Sequence, residues 1–323
     1  MRIVIYGVGA IGGTLAVKLA LAGTEVIGIA RGAQLDAIAR DGLLLRTPQG
    51  DLHARFPIVG NPDEIAFAED DLIFLTMKTQ DTLPALERLR RAGVRDQAIF
   101  CLQNGMANED FALRLFAHVY GAVVAMPATF IRPGEVADFF APKSGIFDVG
   151  RHGSGEAPAL VPFTQALEAA DFAVFVHDDI VPFKYAKLLM NLNNALDATL
   201  GAGEATKPYR RALRAEADAV LAKAGIVPAS FERAAREKLA QMHDIAGAER
   251  VGSSSAQSLA RGAGSIETDY LNGEIVLLGR KLGVPTPANA YFAELAQRLL
   301  HEKRPAGSVD IALVRRALPL DTL

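Results

Sequence analysis

The chain has 323 residues, 50% of them hydrophobic and 22% charged, and its 34 basic and 37 acidic side chains leave a net charge of −3. That apolar content excludes a disordered chain, because burying it offsets the entropy lost on folding. The length favours two domains, and the slight acidic excess lacks the basic footprint of a nucleic-acid binder. A single cysteine, Cys101, excludes an internal disulfide and a thiolate metal site, which suits a reducing cytoplasm. Apolar stretches stay short of the roughly 20 residues a membrane helix needs.

Six glycines, Lys18 and Glu25 interrupt the apolar first thirty residues, so a secretion signal explains them poorly. A strand–turn–helix explains them better. Residues 2–6 form a β-branched run suited to a strand buried on both faces, and residues 7–13 form a turn. Residues 14–21 have helical composition, closed by Gly23, and residues 25–30 form a second strand, completing a βαβ unit. Residues 71–75 and 98–101 read as further buried strands, with a helix at 84–92 between them. Three more β-like runs lie at 120–130, 145–149 and 172–176. From Ile180 onward the composition is helical, over 181–200, 209–224, 230–246 and 266–282. Gly225, Gly262, Gly264 and Gly283 punctuate it, and Pro285 and Pro287 close the last helix. The expected architecture is α/β: a Rossmann-type doubly wound sheet domain over residues 1–178, then an all-helical domain over 179–323.

Gly7-Val8-Gly9-Ala10-Ile11-Gly12 matches the G-x-G-x-x-G fingerprint between a strand and a helix. Gly7 permits the tight turn, Gly9 lets a pyrophosphate approach the backbone, and Gly12 lets helix and strand pack closely. The helix N-terminus offers free amides to the phosphates. An NAD site usually ends the second strand with a carboxylate for the ribose 2′-hydroxyl. Here the strand ends Ile29-Ala30-Arg31-Gly32, and the next acid is Asp36. Arg31 suits a 2′-phosphate, so the expected cofactor is NADPH/NADP+; an ordinary solvated arginine is the alternative.

Two polar clusters follow buried strands: Thr76-Met77-Lys78-Thr79-Gln80 and Gln103-Asn104-Gly105. Alone, Lys78 is a surface lysine and Asn104-Gly105 a turn signal. Open parallel sheets gather ligands at strand carboxyl ends, and both clusters sit there. In the helical half, Lys187, Asn191 and Asn194 recur at i, i+4 and i+7 among Leu188, Leu189, Met190 and Leu192. That spacing gives one polar face on an apolar helix. Buried amides require partners, so the stripe reads as ligand-facing, with helix-packing hydrogen bonds as the alternative. The late runs Ser253-Ser254-Ser255-Ala256-Gln257 and Glu267 to Glu274 would singly be an N-cap and a first-turn acid.

In this order, nearly along the whole chain, these motifs resemble the ketopantoate reductase (2-dehydropantoate 2-reductase) family. Late elements of the match are Ser254-x-x-Gln257, Glu267-x-Asp269-Tyr270-Leu271-Asn272-Gly273 and Gly283-Val284-Pro285-Thr286-Pro287. The resemblance implies an NADPH-dependent reduction of the ketone of 2-dehydropantoate to D-pantoate, in pantothenate and coenzyme A biosynthesis. Lys187 resembles the family's catalytic general acid, and Glu267 the carboxylate that positions it and binds substrate. Asn104 would lie near nicotinamide and substrate, and Lys78 along the cofactor side. Asn191 and Ser254 resemble substrate-binding residues. The family's second helix asparagine falls here on Ala195, with Asn194 one position early and able to substitute. Alternatives are a paralogue acting on another 2-oxo acid, an opine-type dehydrogenase, and a non-catalytic NADPH sensor, against which the retained Lys187 and Glu267 count. No metal-ligand spacing links the six histidines. A small-molecule 2-oxo acid is the expected partner, with neither nucleic acid nor membrane, and a homodimer is compatible with the helical half.

Overall fold

The computed structural model describes residues 1–249, 252–262 and 264–319. Two compact units emerge: Met1–Phe183 with Ser230–Glu249, and Lys184–Ala229 with Arg250–Leu323.

The first unit is built on an 8-stranded sheet. Its order is Phe172–Val176, Gly145–Arg151, Val119–Ala125, Ala98–Cys101, Leu72–Leu75, Arg2–Tyr6, Glu25–Ile29 and Ile58–Val59. Arg2–Tyr6 pairs in parallel with Glu25–Ile29 on one side and Leu72–Leu75 on the other, so strand order reverses there. Such a switch point opens a crevice at the strand carboxyl ends. Ile3, Val4 and Ile5 are fully buried, as a strand covered on both faces requires. On one face the helix Ala10–Leu21 packs against the sheet core. Gly145–Arg151 runs antiparallel to Val119–Ala125 and parallel to Phe172–Val176.

A second sheet of 4 strands joins Leu52–Ala54, Leu43–Arg46, Glu135–Asp138 and Ala128–Arg132. It packs on the first helix, where a Cβ on Gly13 would stand 3.2 Å from Leu43 and Val136 side chains. Its strands, of 3 to 5 residues, are too short for their sequences to show a period. The β-like run at 120–130 belongs to both sheets, through Val119–Ala125 and Ala128–Arg132.

The boundary expected after residue 178 falls instead after Phe183, and residues 230–249 leave the helical half for the sheet unit. The helix expected over 230–246 is confined to Arg233–Leu239; Ala240–Met242 then pairs antiparallel with Phe140–Pro142. Arg236 anchors the segment. Its Nη1 and Nη2 donate to the Asp148 carboxylate at 2.7 and 2.6 Å, and its guanidinium lies 4.7 Å from the centroids of Phe175 and Phe231. Asp148 is 1% exposed and also meets His177 Nε2 at 2.8 Å. A carboxylate this deep is stable only when paired, and Arg236 supplies the pair from within the helix Arg233–Leu239.

The second unit is helical, with a core that includes Leu196, Tyr209, Leu213, Phe292, Ala296 and Val314. Gly283, at φ 71°, ends the helix Asn272–Leu282 in the left-handed conformation. Pro287 opens the helix Pro287–His301 rather than closing its predecessor. The tail contributes the helix Ile311–Ala317, and Tyr209 donates to the Leu318 carbonyl at 3.1 Å; residues 320–323 lie outside the described residues. Among the described residues no helix is long and apolar enough to cross a membrane.

Candidate active site

The glycine loop caps the carboxyl end of Arg2–Tyr6. Gly7 adopts φ +108°, and a Cβ there would stand 2.8 Å from the Met77 amide nitrogen, so no other residue fits without strain. Gly7 N donates to Ile29 O at 3.0 Å, and Thr76 Oγ1 donates to Gly7 O at 2.8 Å, fixing the turn to the strands on both sides. Gly12 is pressed against Gly7 and Thr76. Gly9 differs: its Cβ would meet nothing within 4 Å, and it begins the helix with neither a side-chain cap nor an acid in the first turn. Open space beside the first turn of a helix without a side-chain cap suits a pyrophosphate. Val8, Ala10 and Ile11 complete the loop, Val8 being buried and its carbonyl accepting from Gln34 Nε2 at 2.9 Å.

Arg31 stands one residue beyond Ala30 on the exposed surface, 3.4 Å from Asp81. No carboxylate occupies the end of its strand.

Loops after the next two strands are cross-braced. Gln103 Nε2 donates to Met77 O at 3.0 Å and to Thr82 Oγ1 at 2.7 Å. Thr82 Oγ1 donates to Asn108 Oδ1 at 2.8 Å, and Asn108 Nδ2 donates to Asn104 O at 2.9 Å. Thr82 and Asn108 are wholly buried. Lys78 opens the short turn Thr79–Asp81, and Lys78 and Asn104 are both half-buried, presented by backbone that this network holds. Sequence reasoning missed Thr82 and Asn108, because a threonine and an asparagine at helix starts look like ordinary caps.

In the helical unit the polar stripe is not on one helix. Val181–Asn191 ends and Asn193–Leu200 begins across Leu192, so Lys187 and Asn191 precede a break and Asn194 follows it. Lys187 is half-buried and Asn191 is 9% exposed. Asn194 Nδ2 donates to Ser254 Oγ at 3.3 Å, and Ser253 Oγ donates to Asn194 O at 3.3 Å. Ser253 caps the helix Ser254–Ala260 by accepting from Ala256 N, as a serine run before a helix should. Ala195, where the resemblance would put the second asparagine, is fully buried in the core. Glu267 is half-buried, and its carbonyl accepts from Tyr270 N at the turn Thr268–Tyr270. Among the described residues no group of three His, Cys, Asp or Glu side chains gathers as a metal site.

Two family models match this chain: Ketopantoate reductase PanE/ApbA over residues 3–152, and Ketopantoate reductase PanE/ApbA C terminal over 179–300. The chain belongs to the ketopantoate reductase family. A 2-dehydropantoate 2-reductase of Mesorhizobium japonicum is 28% identical over 94% of this chain and 99% of its own. The crystal structure of a PanE/ApbA family ketopantoate reductase from Ralstonia eutropha JMP134 is 30% identical, with a TM-score of 0.78, over 94% of this chain and 99% of that one. A D-mandelate dehydrogenase in a ternary structure with NADH and anilino(oxo)acetate is 25% identical, with a TM-score of 0.79, over the same shares of the two chains. As a member of the ketopantoate reductase family the chain is an oxidoreductase, and its glycine loop sits on the Rossmann-type sheet unit of that family.

Proposed function

We propose that the chain reduces the ketone of 2-dehydropantoate to the alcohol of D-pantoate, with NADPH as cofactor and the Lys187 ammonium as proton source. NADPH supplies the hydride when bound. The glycine loop, Gly7 to Gly12, holds its pyrophosphate, Arg31 its 2′-phosphate, and Lys78 and Asn104 line its path. As negative charge develops on the carbonyl oxygen, an ammonium already in place stabilises it and then releases a proton to it. Glu267 orients that ammonium and contacts substrate. Asn191, Asn194, Ser254 and Asn104 bind the substrate's carboxylate and hydroxyl.

The supporting observation is the hydrogen bond from Asn194 to Ser254, 60 residues apart in sequence: the family resemblance implies a substrate role for Ser254 and allows Asn194 to substitute for the second asparagine. That contact supports Asn194 as the displaced second asparagine, while Ala195 is buried in the core.

The test is NADPH oxidation by the purified protein with 2-dehydropantoate, a panel of 2-oxo acids and an NADH control. Turnover selective for 2-dehydropantoate with NADPH is expected. The likeness to a D-mandelate dehydrogenase puts phenylglyoxylate in the panel. Faster turnover of that acid would assign the chain to a different 2-oxo acid, and NADPH binding without turnover of 2-dehydropantoate would mean that the substrate pocket has diverged.

A further inference from the structure

Asn272 belongs to the motif before the helix Asn272–Leu282, and the proposed reaction gives it no task. It is fully buried. Its Nδ2 donates to two acceptors at 3.0 Å each, the Leu192 carbonyl and Asn289 Oδ1. Asn289, also fully buried, donates from Nδ2 to Leu213 O at 3.0 Å and to Glu216 Oε2 at 2.8 Å. The Glu216 carboxylate in turn accepts Ala288 N at 2.6 Å and Asn289 N at 2.9 Å, capping the helix Pro287–His301. A polar relay thus runs through an apolar core from a carboxylate to one carbonyl, that of Leu192.

That carbonyl marks the break between Asn191 and Asn194. Leu192 has φ −57° and ψ −29°, ordinary right-handed helical torsions, so its own backbone does not force an interruption. Helix breaks arise from proline, glycine, an extra residue, or an outside group inserted into the ladder. Neither proline nor glycine lies between Leu188 and Ala198. Leu192 N still donates to Leu188 O at 3.1 Å, so Asn272 is a donor from outside that ties down the residue joining the two helices. Burying two amides in a helical core is costly compared with apolar packing, and here the cost falls at the junction between the candidate substrate residues Asn191 and Asn194.

We propose that Asn272 is a positioning residue: braced by Asn289 and Glu216, it holds the break at Leu192 so that Asn191 and Asn194 face the substrate together. The assignment rests on the substrate roles proposed above for those two asparagines.

The test compares Asn272→Leu, Glu216→Gln and, as a control, Tyr209→Phe, which removes a buried hydrogen bond of the same unit away from the break. Melting temperature, NADPH affinity, kcat and KM for 2-dehydropantoate are measured for each. Asn272→Leu should raise KM and lower kcat, with kcat/KM down by about 30-fold or more, while NADPH affinity stays within about twofold. Glu216→Gln, at the half-exposed end of the relay, should shift kcat/KM in the same direction by about threefold. Tyr209→Phe should lower the melting temperature and leave both constants unchanged. If Asn272→Leu and Glu216→Gln behave like Tyr209→Phe, the relay only stabilises the fold and the proposal is wrong. Should Asn272→Leu not fold, Glu216→Gln decides by the same criterion. Lys187→Ala in the same assay separates the two ideas. An active Lys187→Ala enzyme overturns the reaction proposed above and this inference with it; an inactive one beside a fully active Asn272→Leu overturns this inference alone.

Discussion

The loops of the sheet unit and the broken helix of the helical unit place polar groups by different means. In the sheet unit, the glycine loop, Lys78 and Asn104 all follow strand carboxyl ends, where open parallel sheets gather their ligands. Buried Gln103 and Asn108 grip loop carbonyls from behind, and Thr82 links the two side chains. In the helical unit the backbone satisfies itself within each helix, so the candidate site must be made of side chains: Lys187, Asn191, Asn194 and Ser254. There the irregularity is the interruption at Leu192, reached by a buried amide from another helix. Loops advertise themselves with glycine, whereas a helix site depends on residues distant in sequence and resembling ordinary core or cap positions.

Substitutions can break this contrast, beginning with the largest expected effect. Lys187→Ala should lower kcat by about 10²–10⁴-fold, the usual range for losing a general acid, with NADPH affinity unchanged in a fluorescence titration. A loss of affinity equal to the loss of rate would move Lys187 from the chemistry to the cofactor.

A second effect belongs to the sheet unit alone. Asp138 is wholly buried, and burial pushes its carboxyl from 3.8 up to about 7, against the opposing pull of the Phe140 amide, the Lys18 charge and the Ser144 hydroxyl. The folded state therefore holds this proton where the unfolded chain has released it. Its contribution favours folding most below about pH 4, fades as pH rises towards 7, and is constant above that. Asp138→Asn should raise stability by a few kcal/mol at about pH 8 and change little at about pH 4. Denaturant melts at the two pH values check this, and equal effects at both would refute it.

Next, the glycines should separate. Gly7→Ala meets both a left-handed φ and the Met77 backbone, so it should cost about 1–3 kcal/mol of stability as well as cofactor binding. Gly9→Ala meets open space, with φ −95° and ψ −146° at the edge of what alanine adopts; it should cost about 1 kcal/mol or less, below Gly7→Ala. NADPH affinity should nevertheless fall by about tenfold or more, as the approach of a pyrophosphate is blocked. The smallest effect is Arg31→Ala. Its exposed contact with Asp81 carries little stability, so melting should not move, while NADPH should weaken by about tenfold relative to NADH. Equal weakening of both cofactors would remove Arg31 from the 2′-phosphate.

The first βαβ unit was legible because a short β-branched strand, a glycine turn and an alanine-rich helix agree locally, and the structure gives Arg2–Tyr6, Ala10–Leu21 and Glu25–Ile29. Ala98–Cys101 and Phe172–Val176 keep the limits read from their apolar runs. The second sheet was not legible, since strands such as Leu52–Ala54 have 3 residues and no period. Residues 230–246 read as one helix because alanine, arginine, glutamate and lysine favour helix in isolation, whereas Ala240–Met242 leave it to pair with Phe140–Pro142 of the sheet unit. In the candidate site, Lys187 and Asn191 keep the shared helix read from their spacing, and Asn194 does not.

The sequence by itself determined the family, the glycine turn and the residue types that can bind a dinucleotide and deliver a proton, because those depend on local chemistry carried by consecutive residues. Tertiary structure alone decided that residues 230–249 join the sheet unit, that Thr82 and Asn108 brace two loops, and that the helix carrying Lys187 stops before Asn194. Each of those outcomes depends on a buried polar group finding its partner far along the chain, Asp148 with Arg236 or Leu192 with Asn272. Burial makes such a partner obligatory, and only the folded arrangement brings the pair together.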